Sequence, residues 1–162
     1  MGHIATMKIL LATDGSEYGD AAVEAIAHGH YPPGTEVRII SVLEPRYFPP
    51  TTLGAMDTNL YDQMDKDVRA GARAAVDTAA GTLRADTSHP LTVTTEVLSG
   101  SPKRVILDDA EAFGADLIVV GSHGHGTLER FLLGSVSQAV ALHATCSVQI
   151  VRSAKTQPRA RH

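Results

Sequence analysis

Residues 116–140 read DLIVVGSHGHGTLERFLLGSVSQAV, and this stretch decides the fold. Asp116 to Val120 is a short apolar run rich in β-branched residues, the pattern of a strand buried on both faces. Beyond it Val136, Ala139, Val140 and His143 recur at helical spacing. Between strand and helix stand Gly121, Gly124, Gly126 and Gly134, with His123 and His125. Glycine costs backbone entropy and adds no packing. Such a passage is either a long surface loop or a place where backbone amides come close to a ligand.

The same alternation of strand and helix extends outward in both directions. Ile9 to Ala12 predicts a buried strand ending in the turn Thr13-Asp14-Gly15-Ser16. Ser16 is the candidate cap of the next helix, with Ala21, Ala22, Ala25 and Ile26 on its apolar face, and YPPG at 31–34 stops it. Residues 36–44 predict a second strand. Residues 45–59 are proline-rich and form the longest loop. From Leu60 the positions Met64, Val68, Ala72, Val76, Ala79 and Leu83 trace a long amphipathic helix. Residues 91–99 form a third strand. Ser101 and Pro102 suit the N-cap and first position of another helix, and residues 147–152 close the chain as an edge strand. Five strands alternating with helices predict one open, mostly parallel α/β sheet with helices on both faces.

Composition narrows the function. The chain of 162 residues suits one domain. Its net charge is −4 and aromatics are 4% of residues, which argues against nucleic acid as a partner. No apolar run approaches the about 20 residues needed to cross a bilayer, and no secretory signal is visible. Cys146 is the sole cysteine, so no intrachain disulfide forms, consistent with a cytoplasmic protein. Its apolar neighbours predict a buried small hydrophobe. Met7 reads as a natural start, with residues 1–6 a cloning remnant or a disordered N-terminus. Residues 153–162 read as a basic disordered tail.

Ligands of open parallel sheets bind beyond the carboxyl ends of the strands, here segments 12–16, 41–45, 99–103 and 121–137. A helix N-terminus offers unpaired amides and partial positive charge, which suit a phosphate. Gly134 would let those amides approach an anion. Ser135 and Ser137 would either add hydroxyl donors or cap the helix. Gly121 would expose bare backbone to a ligand, and Gly124 would take a positive φ. Asp14 would accept hydrogen bonds from ligand hydroxyls or hold the turn. His123 and His125 leave three roles open: phosphate ligands, a metal-binding pair, or exposed loop residues. Glu129 is the only carboxylate in that loop, so metal ligation is the weaker of these. Arg130 would face phosphates or solvent. Tyr47 and Phe48 would cover a bound ligand or anchor the proline-rich loop. Asp108 and Asp109 fall on an exposed helix face.

Gly121-x-x-Gly124, nine residues, then Gly134-Ser135 resembles the nucleotide motif of the universal stress protein family, in its ATP-binding subgroup. MKILLATDGS, DLIVVGSHG and CSVQIVR resemble that family too, and the likeness spans residues 7–152. It implies a single Rossmann-like domain that binds ATP with Mg²⁺ (or Mn²⁺). By residue match the nucleotide would touch Ala12, Thr13 and Asp14 at the first strand end, with Asp14 on the ribose side. Ser41 and Val42 would follow at the second strand end, Val42 offering its backbone to adenine. Gly121, Ser122, His123 and Gly124 would line ribose and phosphates. Gly134, Ser135, Val136 and Ser137 would hold phosphates. The resemblance also implies a homodimer through residues 147–152. The expected function is a nucleotide-dependent regulator in stress response. The alternatives are a slow ATPase or autokinase, and a stress protein that binds AMP or a cyclic nucleotide.

Overall fold

The computed structural model describes residues 6–47, 49, 51, 54, 57–86, 88–125 and 132–153. Five strands form one sheet: β1 (Lys8–Ala12), β2 (Glu36–Leu43), β3 (Thr92–Ser99), β4 (Leu117–Gly121) and β5 (Ser147–Val151). Their order is β3-β2-β1-β4-β5, and every pairing is parallel. The chain winds outward from β1 through β2 to β3, then crosses to β4 on the other side of β1. Ala12 is therefore in register with both Ile40 and Val120. The carboxyl ends of β1 and β4 are the point where winding reverses, the expected location of a ligand crevice.

Among the described residues four helices cover the sheet: α1 (Glu17–Ala27), α2 (Thr58–Arg84), α3 (Pro102–Phe113) and α4 (Ser135–His143). Alternation along β1 divides the core between them. Ile9 and Leu11 pack with Ala22, Val23 and Ile26 of α1 and with Val76, Ala79, Ala80 and Leu83 of α2. Leu10 packs on the opposite face with Ile106 and Ala110 of α3 and Val140 of α4. Ile9, Leu10 and Leu11 are fully buried, each burial contributing about 1.5–3 kcal/mol.

Several boundaries differ from the sequence expectation for local reasons. Helix α1 ends at Ala27, before the prolines. The His28 amide and ring Nδ1 both reach the Glu24 carbonyl, at 3.0 and 2.8 Å, and close the last turn. Helix α2 starts at Thr58 because Asp57 caps it, Oδ1 accepting from the Asn59 amide at 3.0 Å. Its buried residues begin at Ala72, so Leu60 is exposed instead of packed. Pro102 holds the first position of α3, yet the Ser101 hydroxyl makes no cap. The Ser101 carbonyl instead accepts from the Arg104 and Val105 amides. Gly114 ends α3 with φ of 71°, a left-handed conformation that glycine adopts without strain.

Two further expectations are corrected. Asp108 is exposed but Asp109 is not: its side chain is 14% exposed and bonded to Arg38 of β2. Cys146 is half-buried, packed at the edge of the α3–α4 core. β5 is an edge strand as expected, and β3 is the other. Among the described residues no helix is long and apolar enough to cross a membrane.

Candidate functional site

The four helices begin differently, and the difference locates the site. Ser16 Oγ accepts from the Gly19 amide at 3.2 Å and caps α1, and Asp57 caps α2. Neither α3 nor α4 has a side-chain cap. Both open onto one cavity of about 230 Å³ at the carboxyl ends of β1, β2 and β4. Its lining combines apolar residues, Val42, Pro102, Ile106, Val120 and Val136, with polar ones that include Thr13, Asp14, His125 and Ser135.

Eleven of the thirteen residues named from the sequence line this cavity: Ala12, Thr13, Asp14, Val42, Gly121, His123, Gly124, Gly134, Ser135, Val136 and Ser137. Ser41 and Ser122 are buried and do not line it. Gly19, Pro102, Ile106, Val120 and His125 complete the lining. Gly19 carried a readable signal, a glycine inside the first turn of a helix, which marks close approach. A Cβ there would stand 2.4 Å from Thr13 Oγ1.

The glycines of the motif make close contacts within the protein, and Gly121 is required by one of them. A Cβ on Gly121 would stand 2.6 Å from the Tyr18 carbonyl oxygen, so its bare face is covered by α1. Gly124 does not take a positive φ. It is held instead by space, since a Cβ would lie 2.9 Å from Asp14 Oδ2. Gly134 is the N-cap of α4, and its amide donates to the Ser122 carbonyl at 2.8 Å. Ser135 is exposed at the first helical position beside the cavity. Ser137 is buried and donates its hydroxyl proton to the Gly121 carbonyl at 2.7 Å. Neither serine caps the helix.

Asp14 does hold its turn. Oδ1 accepts from the Ser16 amide at 2.9 Å and Oδ2 from the His125 amide at 3.0 Å. The His125 ring returns to the Asp14 carbonyl, with Nε2 at 2.9 Å. Each carboxylate oxygen keeps a second lone pair for a ligand hydroxyl. His123 is not an exposed loop residue: it is 7% exposed, and its two ring nitrogens contact Ser122 Oγ and the Leu132 carbonyl. Tyr47 is 85% exposed, so it does not anchor the loop to the body, and it does not line the cavity. Phe48, Gly126, Glu129 and Arg130 lie outside the described residues.

Among the described lining residues none is Lys or Arg. The positive potential here comes from the open amides of α4 and the partial charge at its N-terminus. Among the described residues no group of three or more His, Cys, Asp or Glu is arranged to hold a metal ion.

These features define a doubly wound α/β domain with a cavity at its topological switch point. The model of the universal stress protein family matches residues 6–152, and the chain belongs to that family. A putative universal stress protein of Staphylococcus epidermidis is 32% identical over 152 residues, covering 93% of this chain and 86% of that protein. The structure of universal stress protein UspA from Lactobacillus plantarum aligns with a TM-score of 0.64 at 26% identity, covering 90% of this chain and 97% of that one. The structure of hypothetical protein MJ0577 aligns with a TM-score of 0.68 at 23% identity, covering 92% and 97%. Two further structures share the fold and carry nucleotides. A universal stress protein in complex with cAMP aligns at a TM-score of 0.55 and 24% identity, covering 93% and 99%. An Arabidopsis thaliana family protein with AMP bound aligns at 0.61 and 18%, covering 95% and 97%.

Proposed function

We propose that this protein is an ATP-binding regulatory module of the stress response. The observation that carries the reading is the uncapped N-terminus of α4, opening onto a cavity that also has apolar lining from Val42, Ile106 and Val120. Amides at that end suit a phosphate, and the slot of Val42, Ile106 and Val120 suits a base. Asp14 supplies acceptors for ribose hydroxyls through its remaining lone pairs. Mg²⁺ (or Mn²⁺) would arrive with the phosphates, since Mg²⁺ keeps its waters and binds through few carboxylates. Asp14 is the one carboxylate among the described lining residues. The reading includes a single domain over 7–152, a cytoplasmic location and a homodimer through residues 147–152, where β5 is an edge.

AMP or cAMP is the second reading, favoured because two relatives of the same fold hold these ligands. Calorimetry with ATP, AMP and cAMP, with and without Mg²⁺, separates the readings. ATP should bind with Mg²⁺ present. A chain that binds AMP or cAMP and not ATP supports the second reading, and one that binds none of the three ends both. Slow ATP hydrolysis is checked by phosphate release, with Gly134→Val as the control: a Cβ there would crowd the Ser122 carbonyl at 3.1 Å.

A further inference from the structure

We infer that His123 is a positioning residue for the phosphate-facing end of α4, a role that rests on the nucleotide reading above. The ring contacts the Leu132 carbonyl through Nε2. A carbonyl only accepts, so Nε2 carries the proton. In that tautomer Nδ1 is the acceptor, and Ser122 Oγ, 3.0 Å away, donates to it. Both nitrogens are thus used within the protein, and the ring has no donor left for a phosphate. It packs at a tilt of 53° against the ring of Tyr18 of α1, with centroids 5.0 Å apart.

The consequence lies in what Leu132 leads into. Residues 132–134 deliver the chain to α4, and further bonds fasten the same junction. The Gly134 amide donates to the Ser122 carbonyl at 2.8 Å. Ser137 donates to the Gly121 carbonyl, and Gln138 Nε2 to the Leu133 carbonyl at 2.9 Å. His123 is the strut of this junction that crosses from the end of β4 to Leu132. Open helix amides serve an anion only when held at bonding distance, and displacement of about 1 Å is costly. His123 sets that distance without touching the ligand.

The test compares ATP and adenosine, which differ in the phosphates alone. Dissociation constants are measured by calorimetry for the wild type, His123→Leu and His123→Gln, with thermal melts to check folding. His123→Leu should weaken ATP about 10-fold more than adenosine, the scale of one lost hydrogen bond. His123→Gln, whose amide can still donate toward Leu132, should restore most of that ratio. An unchanged ratio in folded His123→Leu overturns the inference, as does a Gln variant as defective as Leu. If the variants do not fold, long-range ¹H–¹⁵N spectra of the wild type decide. The Nε2–H tautomer, retained with ATP bound, is the expected result; the Nδ1–H tautomer, or an Nε2 proton that moves to the ligand, overturns it. A wild type that binds neither ATP nor adenosine removes the nucleotide reading and this role together. ATP binding with an unchanged ratio removes this role alone.

Discussion

Arg38 of β2 grips Asp109 of α3 with two parallel hydrogen bonds, Nε to Oδ2 at 2.8 Å and Nη2 to Oδ1 at 2.9 Å. The same guanidinium reaches Glu96 of β3 at 2.5 Å. Asp109 holds the guanidinium protonated well beyond its ordinary range. Planar two-point pairing of this kind adds specificity to charge attraction. Replacing Arg38 with Met leaves a largely covered carboxylate unpaired and should cost about 1–3 kcal/mol. Glu96→Gln should cost under about 1 kcal/mol, because Glu96 is nearly half exposed. Urea denaturation midpoints of the two variants give the comparison. Equal shifts would remove the distinction.

Glycines in this chain divide into those that touch something and those that do not. Gly121→Ala places a Cβ against the backbone of Tyr18, and overpacking of that kind costs about 1–3 kcal/mol. Gly81 of α2 has open space where its Cβ would stand. Gly81→Ala should therefore stabilise the protein by about 0.5–1 kcal/mol through helix propensity. Melting temperatures should move in opposite directions.

Ser135 and Ser137 are two residues apart and should respond differently. Ser137→Ala removes the donor to the Gly121 carbonyl and should cost about 1 kcal/mol of stability. Ser135→Ala should leave stability within about 0.5 kcal/mol and weaken ATP binding. Melts and calorimetry on the same two preparations separate them. A stability loss confined to Ser135→Ala would reverse the assignment.

Tyr31 gives a prediction at alkaline pH. Burial pushes its phenol above the ordinary value of 10.0. Just above that value the unfolded chain has released the proton while the folded protein retains it. The unfolded state binds fewer protons, so stability falls as pH rises through this window. Below it the contribution is fully present. Tyr31→Phe should flatten the alkaline decline measured by denaturation at pH 9 to 11, and an unchanged slope would assign the decline to other groups.

Elements that depend on local pattern were legible in the sequence; those that depend on a distant partner were not. The apolar runs at 9–12 and 116–120 and the Ser101-Pro102 signal placed β1, β4 and the start of α3 closely. Leu60 continues the helical period perfectly well, yet the sheet does not extend beneath it, and periodicity carries no information about where a neighbour stops. Asp109 looked exposed beside Asp108 because its partner Arg38 lies 71 positions away. Most of the cavity lining followed from the strand-end rule, the glycine motif and the family resemblance together. The reason for the spacing did not: Gly121 is required by the Tyr18 backbone and Gly124 lies against the Asp14 carboxylate, contacts that exist only after α1 has docked on β4 and the motif has met the end of β1.

The central position of β1 has a consequence for synthesis. One of its edges pairs with β2, which begins at Glu36, but its other edge pairs with β4, which begins at Leu117. A ribosome adding about 5–20 residues per second leaves that second edge without its partner for several seconds. Through that interval the central strand of the finished sheet presents an open ladder of amides and carbonyls. The nascent chain is therefore most exposed to mispairing where the folded molecule is most protected.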